Sequence, residues 1–316
     1  MQAEAESGEG PGKGSVAILM GCRDGARFLP EQLASIAAQS HGDWRLFASD
    51  DGSTDATGAI LADFAAAHPG RVEIRRGPCA GFAANYLALA GDPAIRADWY
   101  AFADQDDVWL PERLARGIAR LADVPAAVPA LTGGRTLLID EAGRETGRSP
   151  RFRAAPGFGN ALVQSIAGGN TMLFNRAAKA LMQRARPEAV VAHDWWAYML
   201  VSGAGGRVIY DPEPMVRYRQ HGGNAIGDNQ GFSARLRRMR MLAGGRLAEY
   251  GDVNLAALER AAALLTPAAR AQVTRLRRGR GLSFWRRLAA APRLGLYRQT
   301  RGGTLTLWLA FLAGRL

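Results

Sequence analysis

The chain has 316 residues, 48% of them hydrophobic, and a net charge of +11. That length and apolar share can bury a full core, which excludes a disordered or fibrous protein and points to one large domain, alone or with an appendage. Two cysteines, Cys22 and Cys79, without CxxC spacing or a companion His cluster, exclude a disulfide framework and a thiolate zinc site and fit a reducing compartment.

Residues 1–14, MQAEAESGEGPGKG, are acidic and Gly-rich and have no apolar run. They lack the charged start and hydrophobic middle of a signal peptide and read as a disordered leader. The domain proper is expected to begin at residue 15. Residues 16–22 are a short apolar run, and 29–39 carry Leu33, Ile36 and Ala37 at helical spacing. The alternation continues, with strands at 44–49, 72–75 and 99–103 and helices at 54–67, 82–90 and 113–122. Alternating strands and helices imply a mostly parallel sheet covered on both faces, an α/β, Rossmann-like fold with ligands at the carboxyl ends of the strands.

Past Val124 the pattern loosens. Strands are expected at 135–139, 171–175, 207–210 and 215–219, and helices at 177–186 and 193–202. Residues 143–160, rich in Gly, Pro and Arg, read as a long functional loop. Beyond Gly231 the strand signals stop, and Ala/Leu/Arg helices follow, broken at Gly244-Gly245, Pro267, 279–281 and Pro292. The expected division is therefore a leader at 1–14, a sheet domain at 15–228 and a basic helical region at 229–316.

Three constellations carry chemistry. Asp50-Asp51-Gly52-Ser53-Thr54-Asp55 follows the second strand, where carboxylates can accept hydrogen bonds from a nucleobase or form an ordinary turn and N-cap. Asp104-Gln105-Asp106-Asp107 follows the strand at 99–103. Three carboxylates within four residues repel unless a cation or strong donors share the site, and oxygen-rich ligation suits Mg²⁺ or Mn²⁺. Such an ion neutralises a diphosphate leaving group. The third constellation, His193-Asp194-Trp195-Trp196, pairs a carboxylate with two indoles that either stack on sugars or anchor a core. Neither a phosphate loop, a GxGxxG after the first strand nor a GxSxG elbow is present, which disfavours an NTPase, a dinucleotide oxidoreductase and a serine hydrolase.

The run at 16–22, DDGSTD at 50–55 and DQDDVWLPERL at 104–114 resemble the GT-A fold of family 2 glycosyltransferases, and DQDDVW resembles their rhamnosyltransferase-like branch. The resemblance spans roughly residues 15 to 227. It implies an inverting, metal-dependent transferase that moves a sugar, rhamnose being one candidate, from a nucleotide diphosphate sugar to a hydroxyl of a cell-surface glycan or lipid-linked acceptor. Asp51, or its neighbour Asp50, would then hold the base, with Cys22, Arg23 and Asp24 lining its pocket and Gly81 and Asn85 approaching the nucleotide. Asp106 would be the principal ligand of Mg²⁺ or Mn²⁺, and Asp104 would contact ribose or metal-bound water. Asp194 would be the base that takes the acceptor's proton, and Trp195 and Trp196 would stack on the sugar or desolvate that carboxylate. The segment 218–224, YRQHGGN, is similar to the branch's YRQH-x-x-N, so that Arg219 and His221 would supply positive charge or a metal ligand. Gly169 and Asn170 would position the acceptor. The alternative from another class is a non-catalytic nucleotide-sugar- or glycan-binding protein on the same fold.

From residue 229 onward there are 17 Arg and no Lys against three acids, about +14, leaving the first 228 residues near −3. Arg interleaves with Leu, Met, Trp and Phe, as in 235–242 and 284–288. Basic amphipathic helices of this kind lie in an anionic membrane interface, ahead of a solvated bundle and, last, nucleic acid. The expected location is the cytoplasmic side, peripheral at the inner face of the membrane. The longest apolar stretch, 304–313, is too short to span a bilayer.

Overall fold

β1 (Val16–Cys22), β2 (Trp44–Asp50) and β4 (Trp99–Asp104) run side by side in parallel, with Cys22 level with Asp50 and Gly21 level with Asp104. Because register is fixed, the carboxyl ends of three adjacent strands open at one height. The computed structural model describes residues 14–222 and 246–316. The leader expected at 1–14, apart from Gly14, the boundary at 228/229 and the Arg-rich run 235–242 lie outside the described residues.

The sheet holds seven strands in the order β10-β6-β9-β4-β1-β2-β3, where β3 is Val72–Arg76, β6 Ala130–Gly134, β9 Leu173–Asn175 and β10 Arg207–Asp211. Only β9 is antiparallel to its neighbours, so the sheet is mostly parallel as expected. A second sheet of four short strands, β5 (Val108–Trp109), β11 (Val216–Arg219), β7 (Leu137–Ile139) and β8 (Glu145–Arg148), stands beside it. β8 falls inside the segment expected to be a loop. Its ETGR carries no apolar alternation, because it is an exposed edge strand.

Burial explains the apolar run of β1. Ala17 and Leu19 join one core layer, and Val16, Ile18, Met20 and Cys22 the other, so both faces are covered. The first layer receives α3 (Phe82–Gly91), α5 (Phe158–Ala161), α6 (Arg176–Ala185) and α7 (His193–Gly203). The second receives α1 (Leu29–Ala37), α2 (Thr57–Ala67) and α4 (Arg113–Leu121). Caps set several starts. Asn175 accepts from Ala178 N–H at the head of α6, and Thr266 accepts from Ala269 N–H at the head of the helix at 267–280.

The C-terminal helices are α8 (Arg246–Arg260), α9 (Pro267–Arg280), α10 (Phe284–Ala290) and α11 (Arg301–Leu312). Pro267 opens α9 behind a Thr266 cap, and Pro292 sits in a 3₁₀ turn at 291–294. These helices share the first core layer with the sheet domain through Leu258, Leu265, Leu276, Leu294 and Phe311. Polar ties reinforce the seam. Gln299 donates to Asn160 Oδ1, and Tyr297 O–H donates to the carbonyl of Ala155 at 2.7 Å. No helix among the described residues is long and apolar enough to cross a membrane.

Candidate active site

The strand ends of β1, β2 and β4 open into a cleft with a cavity volume of about 480 Å³, closed on the far side by the 165–170 loop and the head of α7. Ten of the residues singled out from the sequence line it: Cys22, Arg23, Asp51, Gly81, Asn85, Asp104, Asp106, Gly169, Asn170 and Asp194.

At one end, Asp51 organises the loop between β3 and α3. Its Oδ1 accepts from Cys79 N–H at 2.6 Å and its Oδ2 from Gly81 N–H at 3.3 Å. Cys79 and Gly81 both adopt positive φ, and a Cβ on Gly77 would stand 2.6 Å from Asp51 Oδ1, so the loop is folded tightly around this carboxylate. Asn85, on α3, is locked to Ser49 by two hydrogen bonds. Of the pair left open by the sequence, Asp51 is the one that faces the cleft. Asp50 is turned into its own turn, where its Oδ1 accepts from the Ser53 amide and hydroxyl. Asp24 is likewise spent on scaffolding. Its Oδ1 accepts from Thr54 N–H at 2.7 Å, which ties the β1–α1 loop to the β2–α2 loop and keeps Asp24 from lining the cleft.

The three carboxylates of DQDD separate in space. Asp104 Oδ1 accepts from Tyr86 O–H at 2.6 Å, and burial together with the neighbouring Asp106 charge pushes its carboxyl well above the usual range. Asp106 Oδ2 lies 2.8 Å from His221 Nε2, which brings together the two residues expected at a metal. Asp107 turns inward. It is fully buried, accepting from Asn170 Nδ2 and Arg219 N–H, so it shapes the loop that carries Asn170. Gln105 was missed by sequence reasoning: its amide pairs with both the N–H and the carbonyl of Arg23 and clamps the β1 loop to β4.

Arg219 departs from its expected role. Its guanidinium is wholly buried, donating to the carbonyls of Asp106, Asp140 and Glu141 and pairing with Glu31 at 2.6 Å, so it braces the acidic loop from behind and does not reach into the cleft. A strand residue with inward register explains this, since β11 pairs Arg219 with Ile139. Arg113 was also missed. It is buried, donates to the carbonyls of Phe102, Asn170 and Met172, and has its pKa lowered to about 9 by burial.

At the opposite end, Asp194 accepts from Gly169 N–H at 3.1 Å and Trp195 N–H at 2.6 Å, and burial raises its carboxyl to about 6. The two indoles do not line the cleft. Trp196 is fully buried in the core, and Trp195 packs against the same core with its Nε1 donating to the Ala161 carbonyl. A helix started at His193 turns consecutive residues about 100° apart, so 195 and 196 leave the cleft while 193 and 194 enter it.

Donor chemistry fits a small divalent ion. Mg²⁺ and Mn²⁺ are held through one or two carboxylates with the rest supplied by water and substrate phosphates. Asp106 and His221 meet, and Asp104 shares the cleft, while no cluster of three or more acidic, His or Cys ligands is preassembled among the described residues.

A family model described as "Glycosyl transferase family 2" matches residues 17–182. The chain is 28% identical over 232 residues to the dTDP-rhamnosyl transferase RfbG of Shigella flexneri, covering 70% of this chain and 78% of that protein. Among solved structures it is similar to the mannosyltransferase PcManGT from Pyrobaculum calidifontis in complex with GDP-Man and Mn²⁺, with a TM-score of 0.52 and 20% identity across 96% of this chain and 86% of that one. It is also similar to S. aureus TarS 1-349 in complex with UDP-GlcNAc, with a TM-score of 0.52 and 15% identity across 89% of each chain. These likenesses give the fold as GT-A, and nothing in them supports a non-catalytic binding protein. With the family model spanning more than half its length, the chain belongs to the family 2 glycosyltransferases, rhamnosyltransferase-like in sequence, and is an enzyme that uses a nucleotide sugar.

Proposed function

We propose that the protein catalyses an inverting, metal-assisted transfer of rhamnose from dTDP-rhamnose to a hydroxyl of a glycan or lipid-linked acceptor. The observation that carries this reading is the cleft itself, lined by Asp106, which pairs with His221 at its edge, and by a carboxylate of raised pKa, Asp194, facing it from α7. The rhamnosyl donor is supported by the likeness to RfbG. A divalent metal is supported by the Mn²⁺ of the mannosyltransferase neighbour.

In this reading the nucleotide lies against Cys22, Arg23, Asp51, Gly81 and Asn85. Asp106 and His221, with Asp104 beside them, hold Mg²⁺ or Mn²⁺, which when bound neutralises the departing diphosphate. Gly169 and Asn170 fix the acceptor. Asp194 takes the proton of the acceptor hydroxyl as its oxygen attacks the anomeric carbon, the bond to the diphosphate breaks, and the electron pair leaves with the nucleotide. A base of pKa about 6 is ionised at neutral pH yet still basic enough to accept that proton.

The unit that performs this is proposed as residues 15–228, extended by the basic helices to the C-terminus. Phe284, Trp285 and Leu288 stand exposed on α10 beside Arg286, which supports docking on an anionic membrane at its inner face. Thermal stabilisation tests the donor assignment. At 100 times its dissociation constant a ligand adds about 2.7 kcal/mol, so dTDP-rhamnose with Mn²⁺ is expected to raise Tm by several degrees, above UDP-GlcNAc and GDP-mannose. A larger shift with either of the other two would reassign the sugar, and no shift with any would refute the donor cleft.

A further inference from the structure

Resting on the reading of the cleft as a transfer site, we propose that His193 contacts substrate, hydrogen-bonding a sugar hydroxyl held beside Asp194. Only the adjacent carboxylate has a role so far. His193 is 5% exposed and lines the cleft, yet neither Nδ1 nor Nε2 has a hydrogen-bond partner. Among the described residues with unpartnered buried nitrogens, it alone lines the cleft.

Packing accounts for the ring but not for its nitrogens. Tyr86 stacks on the imidazole at 3.9 Å between centroids, and Phe102 meets it edge-on at 4.7 Å. A phenylalanine would satisfy those neighbours equally, without the desolvation cost of two bare polar atoms. Burial lowers the imidazole to about 3, so at working pH the ring is neutral, with one N–H donor and one lone pair. That pair of functions suits a hydroxyl, which both gives and accepts. It does not suit a phosphate, which only accepts and calls for positive charge.

Only a glycine packs against one of the two buried nitrogens. A Cβ on Gly169 would stand 2.4 Å from His193 Nε2, while the Gly169 N–H donates to Asp194 Oδ2 at 3.1 Å. Nε2 and the carboxylate therefore flank the same glycine. On its other side the ring leans on Tyr86, whose hydroxyl holds Asp104. The hydroxyl bound there belongs either to the transferred sugar or to the acceptor.

Two variants test this. His193→Phe keeps the stack and removes both nitrogens, and Gly169→Ala sets a methyl over Nε2. Wild type and variants are compared by calorimetry with dTDP and with dTDP-rhamnose in Mn²⁺, and by dTDP release alone and with octyl glycosides as acceptors. Both variants should bind dTDP as wild type does, His193→Phe should melt no lower than wild type, and kcat/KM should fall at least 100-fold. A tenfold or greater loss of dTDP-rhamnose affinity assigns the contact to the donor sugar. Unchanged donor affinity with lost glycoside-stimulated release assigns it to the acceptor. His193→Phe turning over at the wild-type rate would overturn the proposal and leave the transferase reading standing. A wild type that binds neither dTDP nor dTDP-rhamnose would overturn that reading first, and this one with it.

Discussion

Asp194→Asn should make the protein more stable and nearly inactive at once. Burial raises the Asp194 carboxyl from an ordinary 3.8 to about 6 against the lowering effect of the Trp195 and Gly169 amides. Between pH about 4 and 6 the folded protein therefore holds a proton that the unfolded chain has released. Stability is fully present below that window, falls as pH rises through it, and levels off above. The gap corresponds to about 3 kcal/mol carried as a penalty at pH 8. An amide carries no charge but sets an NH₂ against one of the two N–H donors, which costs about 1 kcal/mol. The variant should thus gain about 2 kcal/mol at pH 8, a Tm rise of several degrees, and show no gain near pH 4. Transfer should drop by about 10²- to 10⁴-fold because the amide cannot take the acceptor's proton, while in the wild type kcat/KM should fall as pH drops through about 6. Parallel melting curves from pH 4 to 8 and dTDP release measure both sides. Equal melting at every pH, or wild-type turnover, would refute the reasoning.

Asp106→Asn should abolish the Mn²⁺-dependent part of dTDP-rhamnose binding with Tm unchanged, since its side chain contacts only His221 at the cleft edge; calorimetry with and without Mn²⁺ reads it. Arg219→Ala should cost about 3 kcal/mol in urea unfolding, because it leaves the carbonyls of Asp106, Asp140 and Glu141 and the Glu31 carboxylate without their donor. A loss confined to donor binding would return Arg219 to the diphosphate. Truncation near Asn229 should destabilise the sheet domain, because Leu258, Leu265, Leu276 and Phe311 fill its core layer; limited proteolysis of the truncated chain checks this. Trp285→Ser, at a residue 76% exposed, should leave Tm unchanged and weaken sedimentation with anionic liposomes, and unchanged sedimentation would move the membrane contact elsewhere.

Strands buried on both faces were legible because burial writes itself as a continuous apolar run. Residues 16–22 and 99–103 needed no partner to be recognised, and the helices at 113–122 and 193–202 fall within one residue of α4 and α7 at each end. β5 and β8 were not legible, since a two-residue strand and an exposed ETGR carry no period to detect. The union of the tail with the core was hidden for a different reason. Ala and Leu spaced between Arg describe an amphipathic helix, but the pattern does not say what its apolar side meets, and here much of it joins the core layer that α5 and α7 also fill.

In the site, the motifs told which positions bear carboxylates but not which way each one turns. DQDD reads as one acidic cluster, yet Asp104 closes β4 and meets Tyr86, while the turn that follows sends Asp106 to His221 and Asp107 into the interior, where Asn170 and the Arg219 amide await it. The same blindness made Trp196 a candidate for sugar stacking, although helical rotation from Asp194 carries it into the core. It also passed over His193, whose two unmatched nitrogens matter only once the ring is seen to be buried and to line the cleft. A residue type signals chemistry in a sequence, but direction and burial decide whether that chemistry is turned toward substrate or spent on holding the loops that are.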